Sequence, residues 1–302
     1  MKKKFFNLLN AICIVGTTIA VAQNQYNVDV RNNMLHFTTA RDYNHIIMDL
    51  NQDQKNLFID FVQTNLHFNA LANNPNSALC INIDDKLFGN MLNYNGYVQI
   101  GNYIYKVNPF NDYVNVIPSE RTDLFEALNM DDLRDPAIRT YSPEDEVISM
   151  VETNTPPSNS RLFCGESGCG AGSLDKEVLL NNPNTNQACG SLHGWVMYRR
   201  YGIYFTLKAK CTNDCPTRRV YWHKTPVAYK IKCGSTTSPQ YQYDIDSGAN
   251  GNGSGWVWQQ HFYQSMQPLN AFWLGIVFMA KDAAWIGNPD NPSVTLEIRK
   301  NM

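Results

Sequence analysis

The stretch WVMYRRYGIYFTLKAK, Trp195 to Lys210, decides how the second half of this chain is read. It reads as one long strand with Gly202 as a bulge. Successive side chains of a strand alternate between faces, so Tyr198, Arg200, Tyr204, Lys208 and Lys210 share one face and Tyr201, Ile203, Phe205 and Leu207 the other. A second strand, Val220 to Lys232, carries Pro226, which marks an edge or a break because proline has no amide hydrogen to donate. Pairing the two antiparallel gives a hairpin with a basic-aromatic outer face and an apolar inner face. Gly255 to Gln267, Ala271 to Lys281 and Val294 to Lys300 supply three more strands. AFWLGIVFMA, Ala271 to Ala280, is apolar on both faces, as a strand covered from both sides must be. Five strands with long loops predict an all-β module, an antiparallel sandwich or open barrel.

Upstream of these strands lies TNTPPSNS, Thr153 to Ser160, uncharged and proline-bearing, the linker expected between two modules. The alternative is one continuous domain with an internal loop. The formal charge of −2 (25 Lys and Arg, 27 Asp and Glu) excludes a uniformly basic nucleic-acid binder. It splits unevenly at the linker. Residues 23–152 hold 8 basic and 18 acidic side chains, −10, whereas residues 153–302 hold 14 and 9, +5.

The acidic half reads as mixed α and β. Ile46, Ile47, Leu50, Leu57, Phe58, Phe61, Val62 and Leu66 recur at helical spacing and predict a helix within Asp42 to Leu71. A short helix is expected over Asp84 to Leu92. Tyr97 to Ile100 and Tyr103 to Val107 read as strands around a Gly101-Asn102 turn, with Tyr113 to Ile117 as a third and a helix at Thr122 to Leu128.

The first residues, MKKKFFNLLNAICIVGTTIAVAQ, have the layout of a secretory signal. Lys2 to Lys4 form a positive start, Leu8 to Ile19 an apolar run, and Ala20-Val21-Ala22 a cleavage site, so residues 1–22 are expected to be removed after Ala22. The run is short for a membrane anchor. Cys13 is not a lipoprotein cysteine, because it follows Ile12 and sits inside the apolar run. The expected modules are then the signal over 1–22, an acidic module over 23–152, a linker over 153–160 and a β-sandwich module over 161–302. The mature protein is expected to be secreted, periplasmic or on the cell surface.

Leu92, Asn93, Gly96, Val98, Gly101, Tyr105, Lys106 and Val107 form the pattern LN-x-x-G-x-V-x-x-G-x-x-x-Y-K-V. This segment resembles one found in uncharacterised secreted proteins of Bacteroidota-type bacteria, where it joins a helix to a hairpin. The resemblance spans about 20 residues and carries no catalytic residue. It implies export and a small mixed module, and no activity.

Seven of the 8 cysteines follow the signal, six of them in the second half. An oxidising compartment permits disulfides. With Trp195–Lys210 facing Val220–Lys232, the register favours Cys189–Cys233 at the open end of the hairpin and Cys211–Cys215 at its tip. Cys164–Cys169 follows by elimination. The alternative, a zinc site built on Cys164/Cys169 and Cys211/Cys215, lacks the usual two-residue spacing. Cys80 is left as a buried small hydrophobe.

Candidate chemistry is sparse. CGESGCG, Cys164 to Gly170, resembles the segment around a serine-protease nucleophile, but Glu replaces Asp and Cys replaces Gly, and a disulfide-closed turn explains it better. DIDSGANGNGSG, Asp244 to Gly255, begins like a calcium loop, yet lacks the sixth-position Gly and twelfth-position Glu, leaving Asp244 and Asp246 as weak calcium ligands. No cofactor is indicated. Arg199, Arg200, Lys208, Lys210, Arg218 and Arg219 cluster on the proposed hairpin and suit an acidic partner, either the acidic half of the chain itself or an external polyanion. Trp256 and Trp258 bracket Val257 and share a face, as a sugar-stacking platform does. His193, His223 and His261 show no ligand spacing. The expected function is therefore binding or surface interaction without catalysis, with an acidic glycan, another polyanion or a surface protein as partner and neither nucleic acid nor a membrane span. The alternative is a secreted hydrolase with a site between the two modules.

Overall fold

The computed structural model describes residues 26–111, 113–153, 172–182, 185–224, 227–231, 237–240, 256–282 and 293–300. The expected signal segment, Cys164, Cys169, Cys233, Asp244 and Asp246 lie outside them, with most of the expected linker. The chain divides into two compact units, Met1–Pro143 and Glu144–Met302.

The first unit is a six-stranded sheet with helices inserted into its connections. Its strands are β1 (Val28–Arg31), β2 (Met34–Phe37), β3 (Tyr97–Ile100), β4 (Tyr103–Asn108), β5 (Tyr113–Pro118) and β6 (Arg139–Tyr141), in that spatial order. All neighbours are antiparallel except β2 and β3. A parallel pair needs a long crossover, and here it holds α1 (Ala40–Asn44), α2 (Gln52–Thr64), α3 (Ala78–Asn82) and α4 (Lys86–Met91). α5 (Phe125–Asn129) follows β5.

The long helix expected over Asp42 to Leu71 is two helices. A π-helical turn, His45–Asp49, follows α1, and Leu50 then turns extended. Asn51 starts α2 with a reciprocal cap: its side chain accepts from the Gln54 amide while the Gln54 side chain accepts from the Asn51 amide, both at 2.9 Å. An apolar period alone does not register such a restart, and Leu57, expected inward, is 61% exposed. The aromatic core joins Phe37 to Tyr43 and Phe58 to Tyr26 in edge-on contacts.

The LN-x-x-G segment is a turn with structural duties. Asn93, 5% exposed, accepts from the Asn95 and Tyr97 amides and donates to the Asn33 carbonyl, each at 3.0 Å. Gly96 sits at φ +79°, and a Cβ there would meet the Val107 carbonyl oxygen at 3.0 Å. Glycine is therefore required twice over, by conformation and by space.

The second unit opens with α6 (Val147–Thr153) and continues in nine strands: β7 (Gly172–Asn181), β8 (Ala188–Arg200), β9 (Phe205–Asn213), β10 (Arg218–Lys224), β11 (Val227–Ile231), β12 (Thr237–Gln240), β13 (Trp256–Ser265), β14 (Leu269–Asp282) and β15 (Ser293–Lys300). One sheet runs β13-β9-β8-β7, and the other β10-β14-β11-β12 with β15 also on β14. All pairs are antiparallel. One core draws on both sheets, with Val196, Leu207 and Ala209 from the first and Leu274, Ile276 and Phe278 from the second. The Leu269 amide donates to the buried Tyr198 hydroxyl at 2.9 Å and so ties them. Central β14 buries most of its side chains, as its doubly apolar sequence requires.

Two expectations about the hairpin fail together. Trp195–Lys210 is not one strand but the two arms of a hairpin, and Gly202 is not a bulge but part of its turn. Gly202 takes φ +70°, and the Tyr201 amide donates to the Tyr204 carbonyl at 2.9 Å to close the bend. Val220–Lys232 does not pair with it. That stretch splits around Pro226 into β10 and β11, which both line one edge of β14. Residue numbers of paired positions add to 500 on β10 (Arg218 with Asp282) and 501 on β11 (Ala228 with Trp273), a one-residue slip across the break.

The disulfides change with the register. Paired positions in the β8–β9 hairpin add to 405, as for Leu192 with Asn213. Cys189 and Cys215 add to 404, and these two form the disulfide, with Cα atoms 5.0 Å apart. Neither Cys189–Cys233 nor Cys211–Cys215 forms. Cys211 is a buried free thiol opposite Gly194. The approach of the strand ends depends on Gly190 at φ +142°, where a Cβ would lie 2.7 Å from the Asp214 carbonyl carbon. The bridge spans 26 residues and stabilises by about 3–4 kcal/mol through restricting the unfolded chain. Burial pushes the Cys211 thiol well above its ordinary range and so suppresses the reactive thiolate. Peptide mapping of the folded protein is expected to find Cys189 joined to Cys215, and Cys211 alkylated by iodoacetamide only after denaturation.

Candidate functional site

The β8–β9 turn fixes which side chains share a face. Tyr198 lies opposite Leu207 and Arg200 opposite Phe205, with Tyr198, Leu207 and Phe205 in the core. The outer face is therefore carried by the alternate pairs: His193 with Thr212, Trp195 with Lys210, Met197 with Lys208, and Arg199 with Thr206. On the far side of β9, Val257, Gln259 and His261 pair with Thr212, Lys210 and Lys208. Arg200 and Lys208, expected on one face, are thus on opposite faces, because the turn shifts the alternation.

The outer face carries a connected group of polar and aromatic side chains. The His193 ring stacks on Trp195 with centroids 3.7 Å apart, and the Lys210 ammonium lies 5.4 Å from the centroid of the same indole. The Gln259 amide nitrogen donates to His261 Nε2 at 2.7 Å, which leaves the ring proton on Nδ1, 2.8 Å from the Thr206 hydroxyl. Val257 stands 55% exposed beside them. The centre of the face, Met197, Thr206 and Lys208, is buried.

The basic residues singled out in the sequence have separate fates. Lys208 is fully buried rather than solvated. Arg200 is 12% exposed and forms an ion pair with Glu144. Arg218 donates from Nε to the Asn181 carbonyl at 2.9 Å and so holds β7 to β10. Lys210 faces outward over Trp195, and Arg199 lies on the same outer face, its Nε buried without a hydrogen-bond partner among the described residues. Arg219 pairs through its backbone with Lys281, and Trp256 and Trp258 with Asn213 and Cys211, but the three side chains lie outside the described residues.

Sequence reasoning did not single out Trp195 or Gln259, and it set His193 and His261 aside for want of ligand spacing. They come from two strands, β8 and β13, far apart in the chain, and only the register through β9 makes them neighbours. The one signal in the sequence is the spacing of His193 and Trp195, two residues apart and hence on one face.

Among the described residues no three or more His, Cys, Asp or Glu gather as a metal site, and no helix is long and apolar enough to cross a membrane. The chain matches no protein-family model, no curated protein and no solved structure.

Proposed function

We propose that this is an exported, non-enzymatic binding protein that holds an anionic glycan on the outer face of the β13-β9-β8-β7 sheet. The N-terminal charge and apolar pattern supports export. The two sheets around one core support a β-sandwich, a scaffold whose rigid faces suit recognition. The observation that carries the reading is the outer-face group itself. Lys210 places a positive charge on this face, with its ammonium over Trp195, and a carboxylate or sulfate is the group such a charge attracts. Gln259, whose amide nitrogen is spent on His261, leaves its side-chain carbonyl beside Lys210 for a hydroxyl group. Trp195 serves mainly to position Lys210, since His193 already covers part of its ring.

The test is calorimetric titration with heparin oligosaccharide as the sulfated probe and oligogalacturonate as the carboxylated one. Lys210→Gln and Trp195→Ala are each expected to weaken binding at least about tenfold, a loss of about 1.4 kcal/mol or more. Lys86→Gln in the first unit is expected to leave it unchanged. Binding should weaken with salt, as exposed charge contacts do. Equal affinity in Lys210→Gln and the parent chain would sink the reading.

A further inference from the structure

Four side chains at one end of the first unit's sheet are exposed although they are large and apolar. Ile81 is 63% exposed, Tyr94 41%, Phe110 57% and Met130 72%, whereas Val30, Met48 and Leu57 are the remaining exposed large apolar residues among those described in that unit. Bonds at this end hold the four segments together. The α3 helix, which buries none of its residues, reaches the Asn93–Gly96 turn, because a Cβ on Gly96 would meet Leu79 Cδ2 at 3.2 Å. That turn is joined to β4 where the Val107 amide donates to the Gly96 carbonyl at 3.0 Å. The β4–β5 turn bearing Phe110 is joined to the end of α5 by the Asn111 amide donating to Asp131 at 2.8 Å. Tyr97 in turn donates to Asn129 at 2.9 Å.

The patch is held, not loose. Asp131 takes a left-handed φ of +61°, uncommon for a residue with a side chain, and is fixed there by the hydroxyl of Tyr113 and the amide of Asn111. Met130 is thereby fixed in an exposed position directly before it. Clustered apolar surface of this kind marks an interaction site.

Charge selects the occupant. Asp131 accepts from Asn111 in the Phe110 turn, Asp132 follows it, and Glu126 lies one helical turn before Met130. Arg134 is bound to Asp132, and Lys106 donates to the Leu128 carbonyl. The residues from 23 to 143 hold 14 acidic and 8 basic side chains, a charge of −6. A second copy would set like charges together, and an anionic membrane surface would be repelled. We infer that this end of the first unit docks a protein that presents apolar side chains among lysines or arginines, with Phe110 and Met130 as anchors.

The probe is a 14-residue amphipathic peptide of leucine and lysine, titrated into the full chain beside its leucine–glutamate counterpart. The lysine peptide is expected to bind at least tenfold more tightly than the glutamate peptide. The double variant Phe110→Ser/Met130→Ser, and separately Ile81→Ser, are expected to weaken it tenfold or more with unchanged thermal unfolding. Val257→Ser in the second unit is expected to have no effect. Four results would overturn the inference: equal binding of both peptides, equal loss in Val257→Ser, full affinity in the double variant, or a dimer in sedimentation that Phe110→Ser abolishes.

Discussion

Asn93→Ala is expected to cost the first unit about 3–5 kcal/mol, read as the shift in a urea unfolding curve. The alanine abandons two backbone amides and one carbonyl that Asn93 now satisfies, those of Asn95, Tyr97 and Asn33. The Tyr97 amide opens β3 in a buried setting, where water cannot replace the lost partner. Asn93→Asp is the informative companion. It keeps both acceptor contacts but sets a carboxylate against the Asn33 carbonyl, so it is expected to cost about 1–3 kcal/mol. An alanine variant within about 0.5 kcal/mol of the parent would show that the Asn93–Gly96 turn is not held by this side chain.

The second large effect concerns where the second unit begins. A chain of residues 160–302 is expected to be about 4–8 kcal/mol less stable than one of residues 144–302. The shorter chain lacks Val147, Ile148 and Val151, each at most 2% exposed, and full burial of such side chains is worth about 1.5–3 kcal/mol apiece as an upper bound. It also strips Glu144 from the mostly buried Arg200 and removes the bonds from Val147 to Gly202 and from Gln267 to Glu146. All six tryptophans lie after residue 160, so their fluorescence reports the transition in both chains. Coincident unfolding curves would place Glu144–Thr153 outside the cooperative unit.

That boundary also changes the reading of charge. Divided at the proline-bearing stretch, residues 23–302 split into −10 and +5. Divided between Pro143 and Glu144, residues 144–302 hold 14 basic and 13 acidic side chains, so the split is −6 and +1. Glu144, Asp145, Glu146 and Glu152 travel with the second unit, and one of them neutralises a cation that had seemed available to a partner. The two divisions differ because the second compact unit begins at Glu144, ahead of that stretch. A loop signal such as Thr153–Ser160 says where the chain turns flexible in composition, not where buried contacts cease.

The strands around Gly101, the helix capped by Asp85 and the buried run of Ala271–Ala280 were all legible from the chain, because alternation, turn residues and apolar content are local properties. The restart at Asn51 was legible in principle, since a side chain that caps three residues ahead is also local. The candidate site was not. Its members lie on β8, β9 and β13, and a strand's sequence does not say which strand it pairs with or in what register. One wrong turn, placed after Lys210 instead of at Tyr201–Tyr204, moved Lys208 to the surface, paired the wrong cysteines and hid His193 and Trp195 from Gln259 and His261.

By itself, then, the sequence determined a mixed first half, a β-rich second half and the strands β3, β4, β5, β13, β14 and β15, because those follow from side-chain period and backbone preference within a few residues. Only the tertiary structure decided that Cys189 bonds Cys215, that Arg200 is spent on Glu144, and that Lys210 stands over Trp195. These depend on long-range register, and a shift of one turn or one residue in register redirects every side chain that follows.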